Sequence, residues 1–176
     1  DPDAEKLASQ LGIHTRRRSI DPIVQTIVAD QTISQLSLGN VKARVRMTLL
    51  YLQANEVSGL VVGTGNKTEL LLGYFTKYGD GGVDLLPLAG LYKTQVWQLA
   101  QELAIPEAII NKTPSAGLWA GQTDEAELGI TDALADAILM AIEQHKPLQQ
   151  FDPSLVKLVQ TKMSQAQHKL ALPPQP

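Results

Sequence analysis

The 176-residue sequence contains no cysteine, so neither a disulfide framework nor a thiolate metal site can be built from it. No apolar run approaches the roughly 20 residues that a membrane-spanning helix needs. Basic residues are in slight deficit: 15 Lys and Arg stand against 18 Asp and Glu, a formal net charge of −3. That balance gives no general positive field for nucleic acid. The basic run Arg16-Arg17-Arg18 reads as the solvated edge of a strand in an otherwise acidic chain. A nucleophile is missing too, because no Ser/His/Asp arrangement accompanies the lack of cysteine. What remains is enough chain for one domain with a sizeable core. The expectation is a soluble, cytoplasmic protein with neither membrane nor nucleic-acid partners.

The informative stretch is residues 60–93. Leu60-Val61-Val62 is an apolar run that stops at Gly63-Thr64-Gly65-Asn66, as a buried parallel strand does at the carboxyl edge of an α/β sheet. A short helical pattern follows over 69–75, with Asn66 or Thr68 available as N-cap. Ligands bind at that edge, where loops and helix N-termini converge. Glu69, Lys77, Asp80, Asp84 and Lys93 then gather around Gly79, Gly81 and Gly82, a density of charge and glycine that an ordinary surface loop does not explain.

On either side the patterns alternate. A helix is expected over 4–11, a strand over 13–20, and helices over 23–28, from Asn40 onward, over 94–104, 134–143 and 153–170. Asp1-Pro2-Asp3 reads as a cap for the first helix, and 173–176 as a polyproline-like tail. Residues 112–129 form a long aperiodic loop of the kind that is often a functional lid. Together these predict an α/β fold: a Rossmann-like parallel sheet with helices on both faces, its strands at 17–20, 60–63 and near 83–87. Several single residues stay open on pattern alone. Thr64 could reach a nucleotide or merely cap the next helix. Arg44 and Arg46 could line a solvated helix face. His14 and His145 read as surface histidines, and 122–125 as a helix cap in which Asp124 has no catalytic role.

Four motifs also carry a family resemblance. GTGNKTELLLGYFTKYGDGGVDLLPLAGLYKTQV at 63–96, NVKARVRM at 40–47, KTPSAGLWAGQTDEAELG at 112–129 and the pair His168-Lys169 together resemble the core of NAD synthetases, ATP-pyrophosphatase-type amidating enzymes. The resemblance implies an adenine nucleotide alpha hydrolase-like fold. It implies ATP-dependent amidation of deamido-NAD by ammonia through an adenylated carboxyl group. On the matching positions it puts Thr64, Lys93 and Ser115 on ATP, and Mg²⁺ on Glu69. Arg44, Lys77, Asp84, His168 and Lys169 fall on deamido-NAD. A homodimer built on the helix after Asn40 is implied as well, and a glutaminase domain or subunit is a candidate source of ammonia.

The chemistry suits those residue types. Two polyanions must be brought together, so lysines, an arginine fork and a metal ion have to offset their repulsion. The sequence departs from the family in two places. Leu170 stands where an arginine usually follows the His-Lys pair. The SGGxDS loop that wraps pyrophosphate in NAD synthetases does not occur, so residues 1–176 read as one NAD synthetase domain, incomplete at its N-terminus. The alternatives are a nucleotide-binding fragment without catalysis, or another ATP-pyrophosphatase ligase such as a GMP synthetase. KYGDGG and PSAGLW argue against the latter.

Overall fold

The computed structural model describes residues 2–119, 121–173 and 175. Asp1 of the expected cap and Pro174 and Pro176 of the expected tail lie outside the described residues. The described chain is a succession of helices: α1 (Pro2–Gln10), α2 (Asp21–Val28), α3 (Gln35–Glu56), α4 (Lys67–Leu72), α5 (Lys93–Glu102), α6 (Glu107–Ile110), α7 (Asp124–Leu128), α8 (Asp132–Glu143) and α9 (Pro153–Leu170).

Local chemistry accounts for most of the boundaries. The Ser34 hydroxyl accepts the Ser37 N–H at 3.1 Å, so the N-cap of α3 is Ser34 and not the Asn40 that sequence suggested. Asn66 and Glu69 form a reciprocal capping box at the start of α4, satisfying two orphan N–H donors at once. Thr123 caps α7 and Asp152 caps α9, the latter with Pro153 in the first helical position. Gly73 closes α4 in the left-handed conformation at φ 69°, which also lets α9 approach. A Cβ on Gly73 would lie 2.7 Å from the Ala166 Cβ.

The core is gathered on α8. Ile138, Leu139 and Ala135 are fully buried and meet Leu72 of α4, Tyr92 beside α5, Leu128 of α7 and Val159 of α9. Burying a Leu or Ile side chain is worth about 1.5–3 kcal/mol, so this small cluster stabilises the arrangement of five helices. A carboxyl group is buried beside it. Buried Asp136 accepts the Thr68 hydroxyl and, at 2.8 Å, the Thr94 N–H. Thr68 Oγ1 in turn accepts the Lys93 N–H at 2.9 Å. A buried carboxylate is tolerable only with such donors, and these bind the N-termini of α4 and α5 to α8.

The expected parallel sheet is not found. Among the described residues β-structure amounts to a single parallel bridge, Val62 with Leu85. It is made by Gly63 N–H to Leu85 O at 2.8 Å and Leu85 N–H to Val61 O at 3.3 Å. Residues 13–20 form neither helix nor strand, and nearly all are exposed. The physical reason lies in pairing: a parallel ladder needs an extended neighbour over several consecutive residues, and 60–63 meets only 84–85. The apolar run was read as buried on both faces. Instead Val61 points inward, while Leu60, Val62 and Leu85 remain 71%, 57% and 52% exposed.

Candidate functional site

The loop that follows α4 is held in shape from within. Asp80 Oδ1 accepts the Thr76 N–H at 2.9 Å, and the Thr76 hydroxyl donates to Asn40 Oδ1 of α3 at 2.8 Å. A Cβ at Gly81 would meet the Phe75 ring at 2.4 Å, and one at Gly79 would meet the Ala43 Cβ at 2.9 Å. The glycines therefore let the loop pack down on α3.

On this loop four sequence-predicted residues converge. The Lys77 ammonium donates to the His168 carbonyl. Arg44 Nε donates to the Lys77 carbonyl at 3.3 Å, leaving an exposed guanidinium beside the loop. Lys169 Nζ donates to the carbonyls of Gly73 and Phe75 at 2.7 and 2.8 Å. Burial lowers its pKa from the ordinary lysine value, opposed by the charge of Asp80. Arg44, Lys77, His168 and Lys169 are thus neighbours, but the Lys169 ammonium is a clamp on backbone rather than a free cation.

A second group lies at the other end of α4. Glu69 Oε1 pairs with Lys93 Nζ at 3.1 Å, and Glu69 Oε2 accepts the Asn66 N–H at 3.1 Å. Thr64 is exposed on the turn just before it. Among the described residues no three His, Asp or Glu side chains stand close enough to hold a metal ion together. Glu69 alone offers hard oxygens beside a cation site, which fits Mg²⁺ only as an ion shared with phosphate oxygens and water.

Asp84 is placed apart from the Lys77 cluster. Its Oδ1 accepts the Tyr51 hydroxyl at 3.0 Å and its Oδ2 accepts the Val61 N–H at 2.8 Å. Partial burial, followed by that carboxylate, raises the Tyr51 pKa from its usual value. Ser115 lies exposed on the 113–119 segment, where its Oγ accepts the Gly117 N–H at 3.1 Å. Among the described residues no hydrogen bond joins it to Lys93 or Thr64.

Sequence reasoning marked 112–129 as a lid-like loop but not what it covers. A cavity of about 320 Å³ opens between α3, residues 73–80 and residues 116–122, with Tyr74, Phe75, Trp119, Gln122 and Lys169 in its lining. The long loop is fastened there. Lys42 Nζ donates to Leu118 O at 2.6 Å, and the Leu118 N–H donates to Gln122 Oε1 at 2.8 Å. Gly39 leaves the space for this: a Cβ there would meet Leu118 Cδ1 at 2.9 Å. The Tyr74 hydroxyl reaches Asp124 and Glu127, and burial first, then those acids, pushes its pKa well up. Trp119, an aromatic in the aperiodic stretch 112–129, was the available signal.

A family model described as NAD synthase matches residues 2–173. The chain belongs to the NAD synthase family. It is 50% identical over 184 residues to an NH(3)-dependent NAD(+) synthetase of Methanosarcina acetivorans, covering 99% of this chain and 72% of that one. The corresponding enzyme of Methanosarcina mazei is 57% identical over 145 residues, covering 80% of this chain and 57% of that one. Among solved structures, an NMN synthetase from Francisella tularensis superposes with a TM-score of 0.90 at 36% identity, over 99% of this chain and 71% of that one. The chain thus aligns with between 57% and 72% of the length of these NAD synthase relatives.

Proposed function

We propose that this chain carries the substrate-binding part of an enzyme that amidates deamido-NAD with ammonia, using ATP and giving NAD, AMP and pyrophosphate. A carboxylate oxygen of the substrate attacks the α-phosphorus of ATP and pyrophosphate leaves. Ammonia then adds to the activated acyl carbon, loses a proton and expels AMP. The observation that carries this reading is the pair of cationic groups flanking α4. Lys93 with Glu69 stands at its start, and Lys77 with Arg44 beyond its end. The helix between them has six residues and is therefore about 9 Å long, a separation suited to two polyanions lying side by side.

On this reading Lys93, Thr64 and Ser115 face ATP, while Arg44, Lys77, Asp84 and His168 face deamido-NAD. Lys169 acts on that substrate by holding the loop carbonyls. Glu69 would hold Mg²⁺, which supplies charge neutralisation on the departing pyrophosphate. A homodimer through α3 belongs to the same proposal. Leu50 and Leu52 are exposed there, beside a surface hollow lined by Arg16, Arg18, Arg46 and Glu56. The names of the archaeal relatives support free ammonia over a glutaminase partner, and the cytoplasm is the proposed compartment.

A second reading concerns the size of the substrate. The NMN synthetase that superposes so well supports a mononucleotide in place of the dinucleotide. Calorimetry on this chain with deamido-NAD, nicotinate mononucleotide and ATP separates the cases. The dinucleotide should bind, and Lys77→Ala or Arg44→Ala should weaken it by about tenfold, the scale of one charge-assisted hydrogen bond. Tighter binding of the mononucleotide would favour the second reading. If neither nucleotide binds, both readings fail.

A further inference from the structure

Asp132 opens α8 in an awkward place for a carboxylate. It is 3% exposed, and its Oδ2 is buried with no hydrogen-bond partner among the described residues. A buried carboxylate lacking a donor either keeps its proton or depends on a nearby cation. The charged groups around it come from three elements. Asp124 and Glu125 belong to α7, and Glu125 Oε1 accepts the Asp132 N–H at 3.2 Å. Asp136 belongs to α8 itself, and Lys93 to α5. Asp132 and Asp136 lie at i and i+4 on one side of α8. Asp136 takes the Thr94 N–H at 2.8 Å, which brings the neighbouring Lys93 to this side of the helix. The Lys93 ammonium itself contacts Glu69 of α4. The burial of Oδ2 leaves no room for a ligand bound directly to it. Its remaining influence is through its field.

We propose that Asp132 is a positioning residue for Lys93, and that the proton on Asp132 sets how firmly the Lys93 ammonium takes an anion. The inference rests on the reading that Lys93 meets phosphate oxygens. Ionised, Asp132 draws the ammonium toward α8 and adds negative potential where an anion must sit. Protonated, it does neither, and the anion gains. Burial pushes the Asp132 carboxyl up to about 6, with Lys93 opposing and Glu125, Asp124 and Asp136 adding to the rise. The change of charge therefore falls near pH 6.

Sulfate is the probe, because its own charge is constant through this range. Calorimetry of sulfate on the wild-type chain should show about fivefold weaker binding at roughly pH 7.5 than at roughly pH 5.5, the low end of typical site-to-site coupling. Asp132→Asn should bind equally at both, and Lys93→Ala should lose the binding altogether. If Lys93→Ala binds sulfate as the wild type does, or the wild type binds none, the phosphate role of Lys93 fails and this inference with it. If Lys93→Ala loses sulfate but Asp132→Asn keeps the wild-type pH dependence, only the inference is overturned. A measurement on the wild type alone guards against a misfolded variant. Coupling is reciprocal, so saturating sulfate must raise the titration midpoint of the Asp132 carboxyl carbon in NMR by about 0.7 pH unit. An unmoved midpoint would also overturn the inference.

Discussion

The Asp136 carboxylate accepts the Thr68 hydroxyl in a place where neither side chain reaches solvent, with Asp136 at 1% and Thr68 at 2% exposure. That contact sets where Lys93 begins its helix, because Thr68 Oγ1 also takes the Lys93 N–H. Thr68→Val keeps the shape and removes both bonds, leaving a buried N–H and a carboxylate oxygen unpaired. Each such group costs about 1–3 kcal/mol. Urea unfolding should show a loss of about 2–5 kcal/mol. A change within about 0.5 kcal/mol, the range of a neutral surface substitution, would mean the hydroxyl is dispensable.

Gly73 offers a cleaner backbone test. Gly73→Ala faces a left-handed φ of 69° and the Ala166 Cβ at 2.7 Å. The conformation alone costs about 1–2 kcal/mol, and α9 must also shift. Gly90 has nothing within 4 Å of an added Cβ, so Gly90→Ala is the control. Thermal melts should separate the two variants by several degrees, with Gly73→Ala the lower. Equal melts would contradict the tight approach of α9.

Asp132 gives the pH dependence of stability a definite sign. Its carboxyl is raised from 3.8 to about 6, so between those values the folded state binds a proton that the unfolded state has released. The stabilisation is complete below the unfolded value and is lost as pH rises through the folded one. The rise of about two pH units corresponds to at most about 3 kcal/mol. Asp132→Asn should therefore be more stable than the wild type at neutral pH, the difference vanishing near pH 4. Denaturation midpoints taken across that window check it, and a variant less stable at neutral pH refutes it.

Glu69→Gln separates capping from charge. Glutamine can still accept the Asn66 N–H in a capping box, so helix content and melting temperature should barely change. The ion pair with Lys93 disappears, as does the hard carboxylate for Mg²⁺. Nucleotide binding measured with and without Mg²⁺ should lose its metal dependence. A wild-type response to Mg²⁺ would remove Glu69 from that role.

The helices were legible because their ends are written in local chemistry. Asn66 with Glu69, and Asp152 before Pro153, announce a start without reference to anything distant. The sheet was misread because Leu60-Val61-Val62 reports only what the segment could bury. Whether an extended neighbour lies along it is a long-range fact, and here Leu60 and Val62 stay exposed. The site shows the same division. That Glu69, Lys77 and Lys93 crowd one stretch could be read directly. That Lys169 is tied to two carbonyls, Asp84 to Val61 and Tyr51, and Tyr74 to two acids needed pairings from 23 to 96 residues apart.

Lys169 closes the loop that contains Gly73 and Phe75 from 96 and 94 residues further along the chain. During synthesis that loop therefore stays unfinished until the last turn of α9 has left the ribosome, long after its own residues have emerged. Removing only the final turn of α9 should leave α4 and α8 packed while amide exchange quickens at residues 73–78. Folding of this loop is thus tied to the emergence of α9 rather than to that of its own residues.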